Sequence, residues 1–255
     1  MASSWVTLNV DDVPMQTFIS VPAGEGPFPA VIVAQHQPGV DTFIQTVCDR
    51  LATAGYAAAA PDLYHRSEEK ITFKEIIALQ SDDPKRAEII QPLAAAMLDE
   101  EIVRDMNAAL DHLKELPIVD ESAVAVTGFC MGGRVAYLMA TRNASLKAAG
   151  CFYPGNSFAS KGGGPSPFAA SDRINCPMIG FFGKDDTNPS PKDMDKISTE
   201  LTRLKIEHTF HDYDGAAHAF MNFSAASYRE DTANDAWPKL VAFFDEKVKA
   251  SAAVA

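Results

Sequence analysis

The feature that most constrains this chain is a repeated change of hydrophobic period. Short apolar runs occur at Ala30–Ala34, Tyr56–Ala60, Val124–Thr127, Ala148–Phe152 and Met178–Phe182. Runs of this length with no polar alternation read as strands buried on both faces. Helically spaced segments stand between and after them: Phe43–Ala54 (ending at Gly55), Pro84–Leu116 (with a break expected before Pro92), Gly132–Thr141, Pro191–Leu204 and Ala236–Val248. His208–Tyr213 reads as a last strand. Val6–Val10 and Gln16–Val21, around Asp11-Asp12-Val13-Pro14, read as an opening hairpin. Strands alternating with helices predict an α/β fold with a mostly parallel central sheet covered by helices on both faces. At 255 residues, a single domain spanning 1–255 is expected.

Composition narrows the function classes. The 47% apolar content suits a packed core and excludes intrinsic disorder. A formal charge of −12 disfavours nucleic acid and anionic membrane surfaces as partners. The start lacks a basic, apolar leader pattern, so no secretory signal is expected, and no apolar run is long enough to span a bilayer. Four scattered cysteines without C-x-x-C spacing suit a reducing cytoplasm. The terminal SAAVA is expected to fray.

One cysteine stands apart. Gly128-Phe129-Cys130-Met131-Gly132-Gly133 follows the VAVT strand and opens a helix, a G-x-nucleophile-x-G arrangement with Cys at the centre. A tight strand-to-helix turn strains the nucleophile's backbone, and flanking glycines leave room for it. The helix N-terminus behind it stabilises negative charge, and the Met131 N–H is placed to hold an oxyanion. Cys48, Cys151 and Cys176 lack such a setting and read as inert apolar fillers. A nucleophilic thiol needs a base, and the base needs an orienting acid. In chain order, Gly183-Lys184-Asp185-Asp186 and then His218 each follow a strand end and fit these roles.

The other histidines fit less well. His208 and His211 lie three apart on a strand and face opposite sides, which also disqualifies them as a metal pair. His112 lies in a helix, and His65 caps a strand end or lines a pocket. No metal-ligand spacing and no phosphate-binding glycine loop is present, so neither metal nor cofactor is expected. The Gly/Ser/Pro-rich stretch 155–173 is too long for an ordinary connection. It reads either as a surface excursion near a site or as an idle loop.

With VIVAQHQPGVDTFI (31–44), CDRLATAGYAAAAPDLYHR (48–66), GFCMGGR (128–134), CFYPG (151–155), FGKDDTNPSP (182–191) and YDGAAHAF (213–220), the sequence resembles the dienelactone hydrolase family of α/β-hydrolases. The resemblance implies hydrolysis of a lactone or small carboxylic ester through a Cys–His–Asp triad and a thioester. It makes Cys130 the nucleophile, His218 the base and Asp186 the orienting acid, with Asp185 as fallback. It puts the oxyanion-hole N–H groups at Gln37 and Met131.

Two departures are visible. Family members have Glu where this chain has His36, which either stabilises a thiolate as a cation, donates to substrate, or is only a pocket wall. The founding enzymes hold a substrate carboxylate with arginines, one of them four residues after the catalytic His. Asn222 stands there, and a neutral amide cannot make that bidentate pair. Arg66 and Arg86 are the candidates for the second arginine, and dienelactone itself is not the expected substrate. Tyr64, Phe129, Tyr153, Phe220 and Phe223 are candidates for an apolar wall and equally for core. Lactonase, carboxylesterase and thioesterase share this triad, and a thiol redox or binding protein, with Cys151 as resolving thiol, is the alternative from another class. A monomer and a homodimer are both compatible with the sequence.

Overall fold

The computed structural model describes residues 1–67 and 84–249. The expectation for SAAVA lies outside them. The described strands are β1 (Ala2–Val10), β2 (Val13–Val21), β3 (Phe28–Ala34), β4 (Ala57–Pro61), β5 (Val119–Phe129), β6 (Ala148–Phe152), β7 (Met178–Gly183) and β8 (His208–Tyr213). They form one sheet in the order β1-β2-β4-β3-β5-β6-β7-β8. β1 and β2 make the expected hairpin, turning through Asp11 and Asp12 at φ 53° and 63°. Two left-handed residues in a row match the twist of the flanking strands, and Asp tolerates that backbone region better than most residues. β2 joins β4 antiparallel, and from β4 to β8 the sheet is parallel.

The described α-helices are α1 (Thr42–Thr53), α2 (Pro84–Ala96), α3 (Asp99–Lys114), α4 (Met131–Arg142), α5 (Pro191–Arg203) and α6 (Glu230–Phe244). Their apolar stripes divide over two core clusters. Leu93, Met106, Leu110, Leu138 and Leu201, from α2 to α5, pack on one face of the sheet. Ile44 and Leu51 of α1 and Trp237, Leu240 and Phe244 of α6 pack on the other. The mostly parallel sheet covered on both faces is thus the observed architecture.

Two helix boundaries differ from the sequence reading. Helix α2 runs through Pro92, and the break falls at Met97-Leu98, where Leu98 is extended (φ −107°, ψ 140°). Tertiary bonds set that position: the Asp99 N–H donates to the Lys161 carbonyl, and the Asp99 carboxylate meets Arg134. Helix α6 starts at Glu230, six residues before the expected Ala236. Its first turns are too polar to show a helical period, yet Thr232 and Ala233 are buried.

The parallel strands all end at one edge of the sheet. Their following loops gather there, which is where such sheets place their sites.

Candidate active site

Cys130 sits between β5 and α4 with φ 59° and ψ −120°, a backbone conformation that costs a non-glycine residue energy. The glycines around it are there for steric reasons. A Cβ on Gly128 would lie 2.1 Å from the Gly132 carbonyl oxygen, and one on Gly132 would lie 2.3 Å from that of Ala34. The expected tight elbow is therefore the observed geometry. Cys130 occupies the N-cap of α4, but its side chain makes no capping hydrogen bond. Met131, the first helical residue, keeps an amide without an intrahelical acceptor.

His218 lies in the loop after β8, and its Nδ1–H donates to Asp186 Oδ2 at 2.7 Å. Asp186 is buried, and its other oxygen accepts the Asn188 N–H at 2.9 Å. Asp185 is exposed, so of the two adjacent carboxylates the structure brings Asp186 to the imidazole. Burial opposes the charged imidazole. The Asp186 hydrogen bond and negative charge on Cys130 outweigh it and raise the His218 pKa to about 10. The edge of the buried Tyr153 ring packs against the imidazole at 5.0 Å between centroids.

Cys130, Asp186 and His218 line one cavity of about 310 Å³, together with Gln37, Met131, Asn156, Lys161 and Asn188. The 155–173 stretch contributes Asn156 and Lys161 to that wall, so it is an excursion at the site. Asn156 and Asn188 tie two cavity loops together: the Asn156 N–H donates to Asn188 Oδ1 at 2.9 Å.

Several candidates point elsewhere. His36 is 4% exposed, with Nε2 at 2.9 Å from Asp41 Oδ1 and its ring against Phe43. Asp41 caps α1 through the Phe43 and Ile44 amides and also meets Arg86 at 3.2 Å. Burial opposes the Asp41 charge, but His36, the capping amides and Arg86 hold its pKa below the usual carboxylate value. Asn222 is buried, and its Oδ1 accepts the Ser224 N–H. Arg66 meets Asp105 at 2.5 Å and Asp11 at 3.0 Å. His65 Nε2 lies 3.0 Å from the same Asp105. None of these five side chains is among the residues lining the Cys130 cavity. Phe129, Tyr153 and Phe220 are core, and Phe223 is exposed.

Cys48, Cys151 and Cys176 are buried, and burial pushes their thiols up, to about 12 for Cys176. Cys151 belongs to the core on one face of the sheet, whereas Cys130 packs against the core on the other.

Two features of the site escaped the sequence reading. Arg134 is buried and forks onto Asp99 at 2.7 and 3.0 Å, fastening α3 to α4 beside the cavity. A cation on the apolar face of GGRVAYLMA was the available signal, because a buried charge needs a partner. Tyr64, weighed only as a wall, donates its hydroxyl to the Gln37 carbonyl at 2.7 Å.

Comparison with known proteins agrees with this architecture. The Dienelactone hydrolase family matches residues 15–248. A Synechocystis protein named "Putative carboxymethylenebutenolidase" is 31% identical over 96% of each chain. One of the same name from Methylorubrum extorquens is 30% identical over 94% of this chain and 79% of its own. Among solved structures, a Klebsiella pneumoniae protein titled "Putative Dienelactone Hydrolase" superposes with a TM-score of 0.82. It is 27% identical, over 95% of this chain and 98% of that one. With the family profile running from β2 through α6 and taking in the elbow and the His218 loop, this chain belongs to the dienelactone hydrolase family.

Proposed function

We propose that this protein hydrolyses a lactone or small carboxylic ester with Cys130 as nucleophile, His218 as base and Asp186 as orienting acid. The observation that carries the reading is the shared cavity: a strained, half-buried thiol on a glycine elbow opens into the same space as an imidazole held by a buried carboxylate. The relatives' name, carboxymethylenebutenolidase, supports a lactone among the substrates.

In this cycle Asp186 holds Nδ1–H, which leaves Nε2 as the nitrogen that exchanges a proton with the thiol. The Cys130 sulfur attacks the carbonyl carbon. The N–H groups of Gln37 and Met131 take the oxyanion, each worth about 3 kcal/mol in comparable sites. The tetrahedral intermediate collapses to a thioester, and His218 protonates the leaving alkoxide. Water, deprotonated by His218, then attacks the thioester and releases the acid. In a lactone the alcohol stays attached, so a single hydroxy acid leaves.

Asn222, Arg66 and Arg86 are all engaged away from the cavity, which supports a substrate other than dienelactone itself. The separation of Cys151 from Cys130 across the sheet weighs against the redox reading.

The test is p-nitrophenyl acetate hydrolysis by the wild type beside Cys130→Ala, with intact-mass detection of an acylated Cys130. Turnover and acylation are expected in the wild type alone. Turnover that survives in Cys130→Ala overturns the assignment.

A further inference from the structure

The cycle above makes no use of the Tyr64 hydroxyl, yet that group touches both arms of the oxyanion hole. Tyr64 Oη donates to the Gln37 carbonyl at 2.7 Å. The same atom lies 3.7 Å from Met131 Sδ. Gln37 and Met131 come from loops far apart in sequence, one after β3 and the other after β5. No other contact described above reaches both.

Within the Gln37 loop, His36 bridges Gly39 and its Nε2 lies 2.9 Å from Asp41, but neither contact is made by Gln37 itself, and the residue after Gln37 is Pro38, which has no N–H to donate. The Tyr64 side is well anchored. The Tyr64 N–H donates to Asp62 Oδ1 at 3.0 Å, and the Leu63 N–H to Gln35 Oε1 at 3.0 Å. Next along the chain, Arg66 donates to the buried Asp105, and His65 Nε2 lies 3.0 Å from the same carboxylate. A fixed hydroxyl therefore holds this loop at Gln37 itself.

We propose that Tyr64 is a positioning residue of the oxyanion hole: its hydroxyl sets the place of the Gln37 backbone relative to Met131, so that both N–H groups converge on one oxyanion. Burial and the neighbouring Cys130 charge push the phenol's pKa up, which keeps the donated proton on oxygen. The inference rests on the reading of Gln37 and Met131 as oxyanion donors. Such a residue acts on the tetrahedral species and not on substrate affinity or on the sulfur itself.

The experiment is Tyr64→Phe, assayed for p-nitrophenyl acetate hydrolysis and, separately, for Cys130 alkylation by iodoacetamide, a displacement that forms no oxyanion. We expect kcat to fall about tenfold, with KM and the alkylation rate each within about twofold of wild type. An unchanged kcat overturns the proposal, as does a fall in alkylation that matches the fall in kcat. Should Tyr64→Phe fail to fold, 3-fluorotyrosine at position 64 keeps both ring and donor. Turnover within about twofold of wild type then supports the proposal, and a tenfold loss overturns it. Cys130→Ala, run alongside, separates the two levels: its survival would remove the underlying reading, whereas a dead Cys130→Ala beside an unaffected Tyr64→Phe removes only this one.

Discussion

Two loops follow neighbouring parallel strands and face the same cavity, yet they are held in opposite ways. The β5–α4 elbow is built from its own residues. Gly128 and Gly132 approach so closely that no Cβ fits between them, and Cys130 itself is the N-cap of the helix that follows. The β3–α1 loop is held from outside. Tyr64 holds the Gln37 carbonyl, Arg86 meets Asp41, and Leu63 ties to Gln35. The nucleophile of the proposed cycle thus stands on a turn whose tightness its own glycines allow. The proposed oxyanion donor Gln37 stands on a loop whose place depends on the partners that hold it.

This contrast is sharpest where it can be broken. The largest expected effect lies at the third loop of the site. Asp186→Asn should cost about 10⁴-fold in kcat by leaving His218 in the wrong tautomer, while Asp185→Asn stays near wild type. Steady-state kinetics on a chromogenic ester measures both, and equal effects would remove the assignment of Asp186.

Glycine substitutions test the elbow against the β3–α1 loop directly. Gly132→Ala drives a methyl into the Ala34 and Gln35 carbonyls and should destabilise by about 3 kcal/mol or more. Gly39→Ala meets nothing within 4 Å among the described residues and carries only the cost of φ +94°, about 1 kcal/mol. Urea unfolding ranks the two, and a reversed order would mean that the elbow is not sterically closed.

His36→Gln removes one of the two side chains that meet Asp41, and Arg86 and the α1 amides remain. A loss of about 1–2 kcal/mol in stability is expected. Because His36 Nε2 faces Asp41, the pH profile of Cys130 alkylation should not move. A shifted profile would restore a direct role for His36 at the thiol.

A last test is a pH dependence. The His218 pKa is raised from 6.5 to about 10, so the charged imidazole is favoured by folding. Its contribution is fully present below pH 6.5 and is lost as pH rises through about 10. The stability gap between wild type and His218→Gln should therefore shrink across that window. A gap that widens with pH would reverse the sign of the coupling.

Much of the fold was legible because its signals are short-range. Ala30–Ala34 and Ala148–Phe152 are apolar on both faces, so they read as interior strands without knowledge of their neighbours. The break in the helical stretch was misplaced for the opposite reason. Pro92 is the local signal, but Asp99, gripped by Arg134 from another helix, decides where the chain bends.

The site divides along the same line. By itself the sequence determined the order of the elements, the glycine elbow at Cys130 and the histidine after the last strand, because sterics and hydrophobic period act between residues close in the chain. Only the tertiary structure decided which of two adjacent aspartates meets His218, that His36 turns to Asp41, and that the Tyr64 hydroxyl reaches Gln37. Those choices depend on partners brought together from 5 to 32 residues away. An acceptor so placed is satisfied by whichever donor the packed fold delivers, and hydrophobic periodicity carries no record of it.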